Sequence, residues 1–529
     1  MKPFDARGAF KPVADTAELR RVAVRGASVT VFSQAALFAI QMIATVVLAR
    51  LLTPADFGVV TMVTTFSLLL MNFGLNGFTE AVLQREEIDH TLASNLFWIN
   101  LGVGVLLMIG FAGAGSLLAK FYGDARISRI ASGMSLTISI TSISVLHLAL
   151  LKRAMRFSAV STNDVLARVV SVAVSIVLAW KGWGYWALVA GAVAVPLSTA
   201  IGAWSLCRWV PRLPRRALGT ASMVRFAMNI YGRFSVNYFA RNMDNLLVGW
   251  RFSAQSLGFY KKAYDLFAFS ASQLVSPLTV VSVSALSRLN RDPLQYKRYL
   301  LRAMDVVAFV GMGIGACLTL VGPDLIRLLL GPGWEEAGRI FTFFGPGIGI
   351  MLLYGTHGWI HLSIGRPDRW FRWGLVEFAV TGLLFILGLP WGPVGVAVAW
   401  TVSFWILAIP AFWYAGKPID LGITSVIATV WKYLVASASA GFASAAILMK
   451  YSVPASGGLG TLIHIATISL VVGILYLSAV ILLHQGFTPL SQVARLLREM
   501  IPGNMFSRSP GAVAATHGAG VRQAAENSP

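Results

Sequence analysis

The chain has 529 residues, of which 56% are apolar and only 12% are charged. An ordinary soluble domain carries about 25% charged residues, so this composition cannot cover the surface of a soluble protein of such length. A net charge of +21 would suggest nucleic-acid binding in a soluble protein. In a chain this apolar it indicates basic loops that orient membrane helices, and we expect no nucleic-acid partner.

Long apolar runs recur along the whole chain. Runs of about 18 or more residues can cross the hydrocarbon as helices, and these runs lack the period-two alternation of barrel strands. We therefore predict an all-α polytopic membrane protein with about fourteen transmembrane helices. The predicted spans are 26–49, 57–79, 93–118, 128–150, 162–180, 184–206, 227–250, 263–287, 304–322, 338–363, 373–389, 392–414, 430–449 and 461–483.

The distribution of basic residues predicts the orientation of these spans. With both termini in the cytoplasm, 29 of the 43 Lys and Arg residues fall in inside segments and 11 in outside loops, as the positive-inside rule requires. The predicted divisions are an N-terminal cytoplasmic tail 1–25, an N-lobe 26–206, a cytoplasmic linker 207–226, a C-lobe 227–414, two final spans in 430–483 and a cytoplasmic tail 486–529. We expect the end of that tail to be disordered.

A short pattern repeats at an offset of 200 residues. LARLLTPADFGVV, residues 48–60, resembles VGWRFSAQSLGFY, residues 248–260. In each copy a span ends, a short polar turn follows, and a glycine opens the next span. Six spans separate the copies, so they share one orientation, as in transporters built from parallel repeats. The alternative is that short exit turns look alike by chance.

Span seven is unusually polar for a membrane helix. Arg233, Asn237, Arg241 and the pair Asp244 and Asn245 recur at helical spacing and so lie on one face. A charge at bilayer depth costs at least about 2.5 kcal/mol, so this face must meet protein or water. It predicts a hydrophilic cavity wall whose arginines can bind phosphate or sugar acids. The alternative is a structural Arg241–Asp244 pair, with Arg233 reaching the cytoplasmic edge.

Other spans add polar candidates for the same cavity. They are Gln34 and Gln41 in span one, Asn72 in span two, and Lys261 and Lys262 at the start of span eight. Each single Gln or Asn could instead form a hydrogen bond between helices. The candidate carboxylates for ion coupling are Asp244, Asp265 and Glu377, although Arg372 or Arg369 could neutralise Glu377.

Motifs for metal or cofactor chemistry are weak. His357 and His361 are four residues apart in span ten, but no nearby carboxylate or cysteine completes a ligand set, so we expect polar histidines that face the pore. Cys207 and Cys317 offer neither a disulfide framework nor metal-ligand spacing. The sequence has no P-loop. We therefore expect no metal and no cofactor.

Several motifs resemble one family in order along the chain. In chain order they are ATVVLARLLTPADFGVVTMV, GLNGFTEAVLQREE, LKRAMRF, GWGYWALV, RNMDNLLVGWRFSAQSLGFYKKAYDL and LLGPGWEEAGRIF, and the overall match covers roughly residues 20 to 485. They resemble Wzx-type polysaccharide exporters, in the branch that includes the colanic-acid exporter, within the MOP exporter superfamily. The resemblance implies two six-helix lobes plus two further helices. It carries no individual substrate contact.

The resemblance implies a flippase in the bacterial inner membrane that moves an undecaprenyl-diphosphate-linked oligosaccharide to the outer leaflet, for exopolysaccharide, capsule or O-antigen synthesis. Its expected partners are this lipid-linked oligosaccharide, membrane lipids, and a polysaccharide polymerase and chain-length regulator. We expect no enzymatic activity. One alternative is a small-molecule or drug antiporter of the same fold. Another is a membrane-embedded glycosyltransferase or polymerase, which would need an acidic catalytic pair in a sizeable loop.

Overall fold

A computed structural model describes residues 3–5, 8–10, 16–85, 87–215, 219–450 and 457–491. Within these ranges the chain is helical, with two isolated β-bridges near the N-terminus. The helices are α1 Thr16–Leu51, α2 Pro54–Gln84, α3 His90–Tyr122, α4 Arg126–Arg153, α5 Phe157–Trp180, α6 Tyr185–Cys207, α7 Thr220–Arg251, α8 Ala254–Leu289, α9 Pro293–Leu330, α10 Glu335–Gly355, α11 His357–Ser363, α12 Pro367–Gly388, α13 Gly392–Gly416, α14 Ile423–Lys450 and α15 Gly457–His484.

Each predicted span overlies one helix, except that the tenth covers both α10 and α11. Among the described residues, 11 helical stretches are long and apolar enough to cross a membrane. One of them, Pro367–Ile419, contains both α12 and α13. The prediction of a polytopic all-α membrane protein is therefore confirmed. The predicted tail 486–529 lies mostly outside the described residues.

The tenth span is divided by a break that the hydropathy pattern does not reveal. The Thr356 hydroxyl donates to the carbonyl of Leu353 at 2.8 Å, and the His357 ring lies 2.5 Å from the carbonyl of Tyr354. Both side chains thus compete with backbone amides for these carbonyls, and the Thr356 amide donates to Leu353, three residues back instead of four, at 2.9 Å. The regular helix ends at this point. Hydropathy reports burial of side chains and carries no signal for such local competition.

Helix packing divides most of the bundle into two groups. In the N-half, α1–α6, helix α4 packs against α2, α3 and α6, and α5 packs against α1 and α6. In the C-half, α7–α13, helix α10 packs against α8, α9 and α13, and α12 packs against α13. Helix α2 crosses to α7 and α8 and so joins the halves.

We call the membrane face at which α1 ends and α2 begins the outer face, after the predicted orientation, and the other the inner face. Helices α14 and α15 pack on α9. Tyr433 donates to Asp305 at 2.8 Å, Tyr476 donates to the carbonyl of Phe309 at 2.6 Å, and His464 lies 2.7 Å from Asp324. These contacts extend along α9, so the final helix pair is attached to the C-half.

Candidate substrate-binding cluster

The turns that begin α2 and α8 use the same device at an offset of 200 residues. The Thr53 hydroxyl caps α2 by accepting from the amide of Asp56 at 3.3 Å, and the Ser253 hydroxyl caps α8 by accepting from the amide of Ser256 at 3.2 Å. Such caps satisfy amides that have no partner within the helix. The two turns are therefore equivalent in local structure as well as in sequence.

These equivalent turns pack directly against each other. A Cβ added at Gly58 would lie 1.6 Å from the carbonyl oxygen of Ala254, and a Cβ at Gly258 would lie 1.9 Å from that of Pro54. Only glycine allows this approach between two helices. The contact is reciprocal at the repeat offset, which supports a pseudo-two-fold relation between the halves.

Further contacts complete a junction at the outer face, which we call the outer seam. The Trp334 indole is 2% exposed and donates to the carbonyl of Ala49 at 3.0 Å. Its ring packs edge-on against Phe57 with a centroid separation of 5.6 Å. Arg50 donates to the carbonyl of Leu328 at 2.8 Å. The outer seam thus holds the α1–α2 turn of the N-half against the α9–α10 loop of the C-half.

Below the outer seam, two opposite charges lie at similar depth. Arg241 is ten residues before the end of α7, and Glu377 is ten residues after the start of α12. At 1.5 Å per residue, each lies about 15 Å along its helix, near the middle of a bilayer about 30 Å thick. The Arg241 side chain is exposed and its charge interacts with that of Glu377. An exposed arginine at this depth requires water or a polar ligand beside it.

Asp244 does not share the exposure of Arg241. Its side chain is 1% exposed and accepts a hydrogen bond from Tyr260 of α8 at 2.9 Å, while Asn245 is 2% exposed. In this conformation both residues lie in the packed interface of α7 and α8. The alternative of an Arg241–Asp244 pair is wrong for this structure, because Asp244 bonds to Tyr260 and no ion pair joins it to Arg241 among the described residues.

The two lysines of α8 have different surroundings. Lys261 forms an ion pair with Asp265 one turn later, and both remain partly accessible. Lys262 is 9% exposed, and its ammonium lies 4.0 Å from the centroid of the Phe57 ring in the outer seam. The charges of Asp265 and Arg241 both reach Tyr264 of α8, so the Lys261–Asp265 pair lies near Arg241, whereas Lys262 belongs to the outer seam. We call Arg241, Lys261, Asp265 and Glu377 the mid-membrane cluster.

Glu377 is held by a tyrosine. Tyr354 donates to the Glu377 carboxylate at 3.0 Å and accepts from the Trp373 indole at 2.7 Å. The proposed neutralising arginines lie elsewhere, since Arg369 donates to the carbonyl of Tyr414 at 2.6 Å and Arg372 lies 3.7 Å from Asp368. That alternative for Glu377 is wrong, and the carboxylate is free to respond to Arg241.

The expectation of pore-facing histidines is also wrong. His357 is 3% exposed and His361 is fully buried, with their ring centroids 5.9 Å apart. Tyr354 and Tyr414 pack against them inside the C-half. Apolar residues around α11 bury this face, which the spacing of the two histidines alone could not indicate. In the described part of the chain, no group of three or more His, Cys, Asp or Glu residues is placed to hold a metal.

The remaining candidates are distributed along α1, α2 and α7. Gln34 and Gln41 are exposed on α1, and Asn72 donates to the carbonyl of Leu68 at 2.8 Å within α2. The side chains of Arg233 and Asn237 lie outside the described residues, although their helix is described. A contact of any of these residues with substrate stays a prediction.

Residue-by-residue reading missed Tyr260, Tyr354 and Trp334. The tyrosines escaped notice because each bonds to a carboxylate on a different helix, and such pairs have no sequence spacing. Trp334 lies within the LLGPGWEEAGRIF motif, but only the structure shows that its indole crosses to the N-half. The sequence signal for this contact was a large aromatic residue within a glycine-rich loop, a position where such a side chain is usually exposed.

The sequence is similar to three bacterial proteins that are named for polysaccharide biosynthesis or transport. TuaB, the teichuronic acid biosynthesis protein of Bacillus subtilis strain 168, is 22% identical over 72% of this chain and 78% of that protein. ExoT, the succinoglycan biosynthesis transport protein of Rhizobium meliloti strain 1021, is 20% identical over 68% of this chain and 73% of that protein. WzxC, the lipopolysaccharide biosynthesis protein of Escherichia coli strain K12, is 21% identical over 76% of this chain and 82% of that protein.

Solved structures share the fold at low identity. The lipid II flippase MurJ in an inward closed conformation has a TM-score of 0.69 and 13% identity, and covers 87% of this chain and 99% of its own. An inward-facing multidrug resistance MATE transporter of the MOP superfamily has a TM-score of 0.59 and 13% identity, with 73% and 94% coverage. The sequence model of one family matches residues 47–339, more than half of the chain. The protein is an integral membrane member of this family, which is described as polysaccharide biosynthesis protein.

Proposed function

We propose that this protein is a flippase that carries a prenyl-diphosphate-linked oligosaccharide across the bacterial inner membrane for the synthesis of a surface polysaccharide. The single observation that carries the proposal is the mid-membrane cluster, where exposed Arg241 lies within electrostatic range of Glu377 at similar depth in the bilayer. The relatives TuaB, ExoT and WzxC, by their names, serve teichuronic acid, succinoglycan and lipopolysaccharide synthesis, which supports this class of substrate.

The physical problem is to move a sugar chain through hydrocarbon. Each hydroxyl group that enters lipid without a hydrogen-bond partner costs free energy, so the sugars need a polar path while the prenyl tail stays in the lipid. A diphosphate carries negative charge, and a guanidinium binds phosphate with two parallel hydrogen bonds. Arg241 supplies this group in the proposed path.

The same arrangement offers a means of coupling to an ion gradient. Glu377 interacts with Arg241 before the substrate arrives. A diphosphate that binds Arg241 competes with Glu377, and a carboxylate that has lost its cationic neighbour binds a proton or cation more readily. Substrate and ion thereby affect each other through one residue pair, and coupling is reciprocal by linkage. Asp265 and Asp244 are the other candidate carboxylates.

Alternating access in this mechanism depends on the outer seam. Gly58, Gly258 and Trp334 join the two halves at the outer face in this structure. Opening the outer seam and separating α2 from α8 would expose Arg241 to the outside and release the sugars there. The two halves would then rock about the substrate, as in other transporters built from repeats.

We further propose that both termini are cytoplasmic, on the basis of the charge distribution, and that a polysaccharide polymerase and a chain-length regulator receive the product. The mechanism transports its substrate without changing it chemically, so we propose no enzymatic activity. The predicted lobes 26–206 and 227–414, with the linker 207–226 between them, are the bodies that we propose to move.

The test replaces Arg241 in a strain that depends on this protein for its polysaccharide. Arg241→Ala should abolish polymer export while the protein remains folded and inserted at normal abundance. Arg251→Ala, ten residues later on the same helix and exposed at the outer end of α7, is the matched control and should leave export intact. Normal polymer output from Arg241→Ala would remove this residue from the site.

An antiporter for small molecules is the second candidate, because the MATE transporter shares the fold. The two functions separate in a deletion strain. Loss of polysaccharide with unchanged drug sensitivity supports the flippase. Drug sensitivity with intact polysaccharide supports the antiporter.

A further inference from the structure

Residues 208–215, which follow the N-half and lead toward the C-half, are fixed to the N-half by the side chain of Trp209. Trp209 is 3% exposed and packs in a cluster at the inner end of the N-half. Its indole donates to His90 at 3.2 Å, and its carbonyl accepts from the His147 ring at 3.0 Å. The segment therefore starts from a buried anchor.

The first turns of α3 hold the backbone that follows. The Asn95 side chain donates to the carbonyl of Arg215 at 2.6 Å and accepts from its amide at 3.0 Å. Trp98 donates to the carbonyl of Arg212 at 2.9 Å, and the Ser94 hydroxyl accepts from the Arg212 amide at 3.1 Å. These bonds satisfy backbone groups that a surface loop would otherwise present to water. They also fix the direction in which the intervening side chains point.

The exposed side chains of residues 208–215 include both basic and apolar residues. Arg208, Arg212 and Arg215 are exposed, and Val210 and Leu213 are 71% and 76% exposed. Two prolines, at positions 211 and 214, keep the segment out of a helix. Three exposed cations and two exposed aliphatic side chains thus lie within eight residues, and we call this set of side chains the linker face.

We propose that the linker face binds anionic phospholipid headgroups at the inner face of the membrane. It directly follows the last residue of membrane helix α6, so it lies at headgroup depth. Arginines near an anionic leaflet gain electrostatic attraction, and neighbouring aliphatic side chains enter the boundary between headgroups and acyl chains. An acidic soluble protein would match the charges but would not account for Val210 and Leu213 at this depth. This proposal is independent of the proposed function.

The test uses the purified full-length protein and native mass spectrometry with added phosphatidylglycerol or phosphatidylcholine. The triple variant Arg208→Gln, Arg212→Gln, Arg215→Gln should bind phosphatidylglycerol more weakly by about fivefold per arginine. Phosphatidylcholine binding should not change. A matched control, Arg291→Gln, Arg298→Gln, Arg302→Gln, removes the same charge from exposed residues around the start of α9, on the same predicted side. It should keep most of the phosphatidylglycerol affinity.

A second measurement reports insertion directly. Leu213→Cys with an environment-sensitive dye, in a Cys207→Ala, Cys317→Ala background, should shift its emission to the blue with phosphatidylglycerol bilayers and not with phosphatidylcholine. Equal loss of phosphatidylglycerol binding in both triple variants would overturn the proposal, since generic positive charge would explain it. A dye that stays in a polar environment, or that responds only to an acidic soluble protein, would also overturn it.

Discussion

Gly58 and Gly258 face each other's helix in a reciprocal contact at the outer seam. Each is close to a backbone carbonyl of the other repeat, Ala254 for Gly58 and Pro54 for Gly258. A carbonyl cannot move aside as a flexible side chain can. This close approach between the halves therefore depends on the absence of a Cβ at Gly58 and at Gly258.

Replacing Gly58 by alanine should prevent the outer seam from closing. The added Cβ would lie 1.6 Å from the carbonyl oxygen of Ala254, and forced overpacking costs about 1–3 kcal/mol. We expect the population to shift toward an outward-open state and export to fall. Leu257→Cys, which is fully buried here, should become reactive to a membrane-impermeant thiol reagent in a cysteine-free background.

The control for this change is Gly110→Ala, because a Cβ at Gly110 meets nothing within 4 Å. It should leave thiol reactivity and export unchanged. Unaltered seam accessibility in the Gly58→Ala protein would show that the glycine contact does not set the closed state.

Trp334 should contribute to stability in two separable ways. Trp334→Phe keeps an aromatic ring against Phe57 and loses the hydrogen bond to Ala49, at about 1 kcal/mol. Trp334→Ala also loses the buried ring, at about 3–5 kcal/mol. Thermal unfolding of the purified protein in detergent measures both values. Equal destabilisation by the two variants would mean that packing of the ring contributes little.

Glu377→Gln should uncouple transport from the ion gradient. The amide can still accept from Tyr354 but carries no charge toward Arg241. Transport in vesicles should lose its stimulation by an imposed pH or sodium gradient. Tyr354→Phe removes the hydrogen bond at 3.0 Å, keeps the carboxylate and should retain gradient dependence.

Asp265→Asn and Asp244→Asn complete this comparison. If the gradient still stimulates transport fully in Glu377→Gln but not in one of the aspartate variants, that aspartate and not Glu377 couples transport to the ion.

Ser469→Cys should form a disulfide with Cys317. The Cys317 sulfur lies 3.5 Å from the Ser469 hydroxyl oxygen, between α9 and α15. Because α15 is attached to the C-half, the cross-link should leave transport unchanged. It should speed migration on a non-reducing gel, since the closed loop makes the denatured chain more compact. Transport that stops on oxidation and returns on reduction would show that α15 moves relative to α9 during the cycle.

Hydropathy located the membrane helices because burial in lipid leaves a strong compositional trace. It also placed the limits of α9 too narrowly, since Asp292 and Pro293 begin that helix well before the apolar run. Capping depends on single residues and extends a helix beyond the hydrocarbon. The break at Thr356 was missed for a related reason, because two local side-chain bonds compete with the helix there.

The polar face of span seven was visible in the sequence, but its division was not. Arg241 and Asp244 are less than one turn apart, yet one is exposed and the other is buried against Tyr260. Helical periodicity shows which residues share a face of a helix, but it does not show how deeply each of them is buried. Which part of that face meets another helix depends on tertiary packing.

The contacts of α9 with the final two helices have a consequence for the protein in its membrane. Asp305 and Asp324 lie nineteen residues apart on α9, and each bonds to the final pair, through Tyr433 and His464. Helices α14 and α15 are thus bonded at two depths to the half that carries Glu377. A membrane protein that binds these two helices would therefore also act on the C-half. It would change the rate of transport without contacting the path of the sugar.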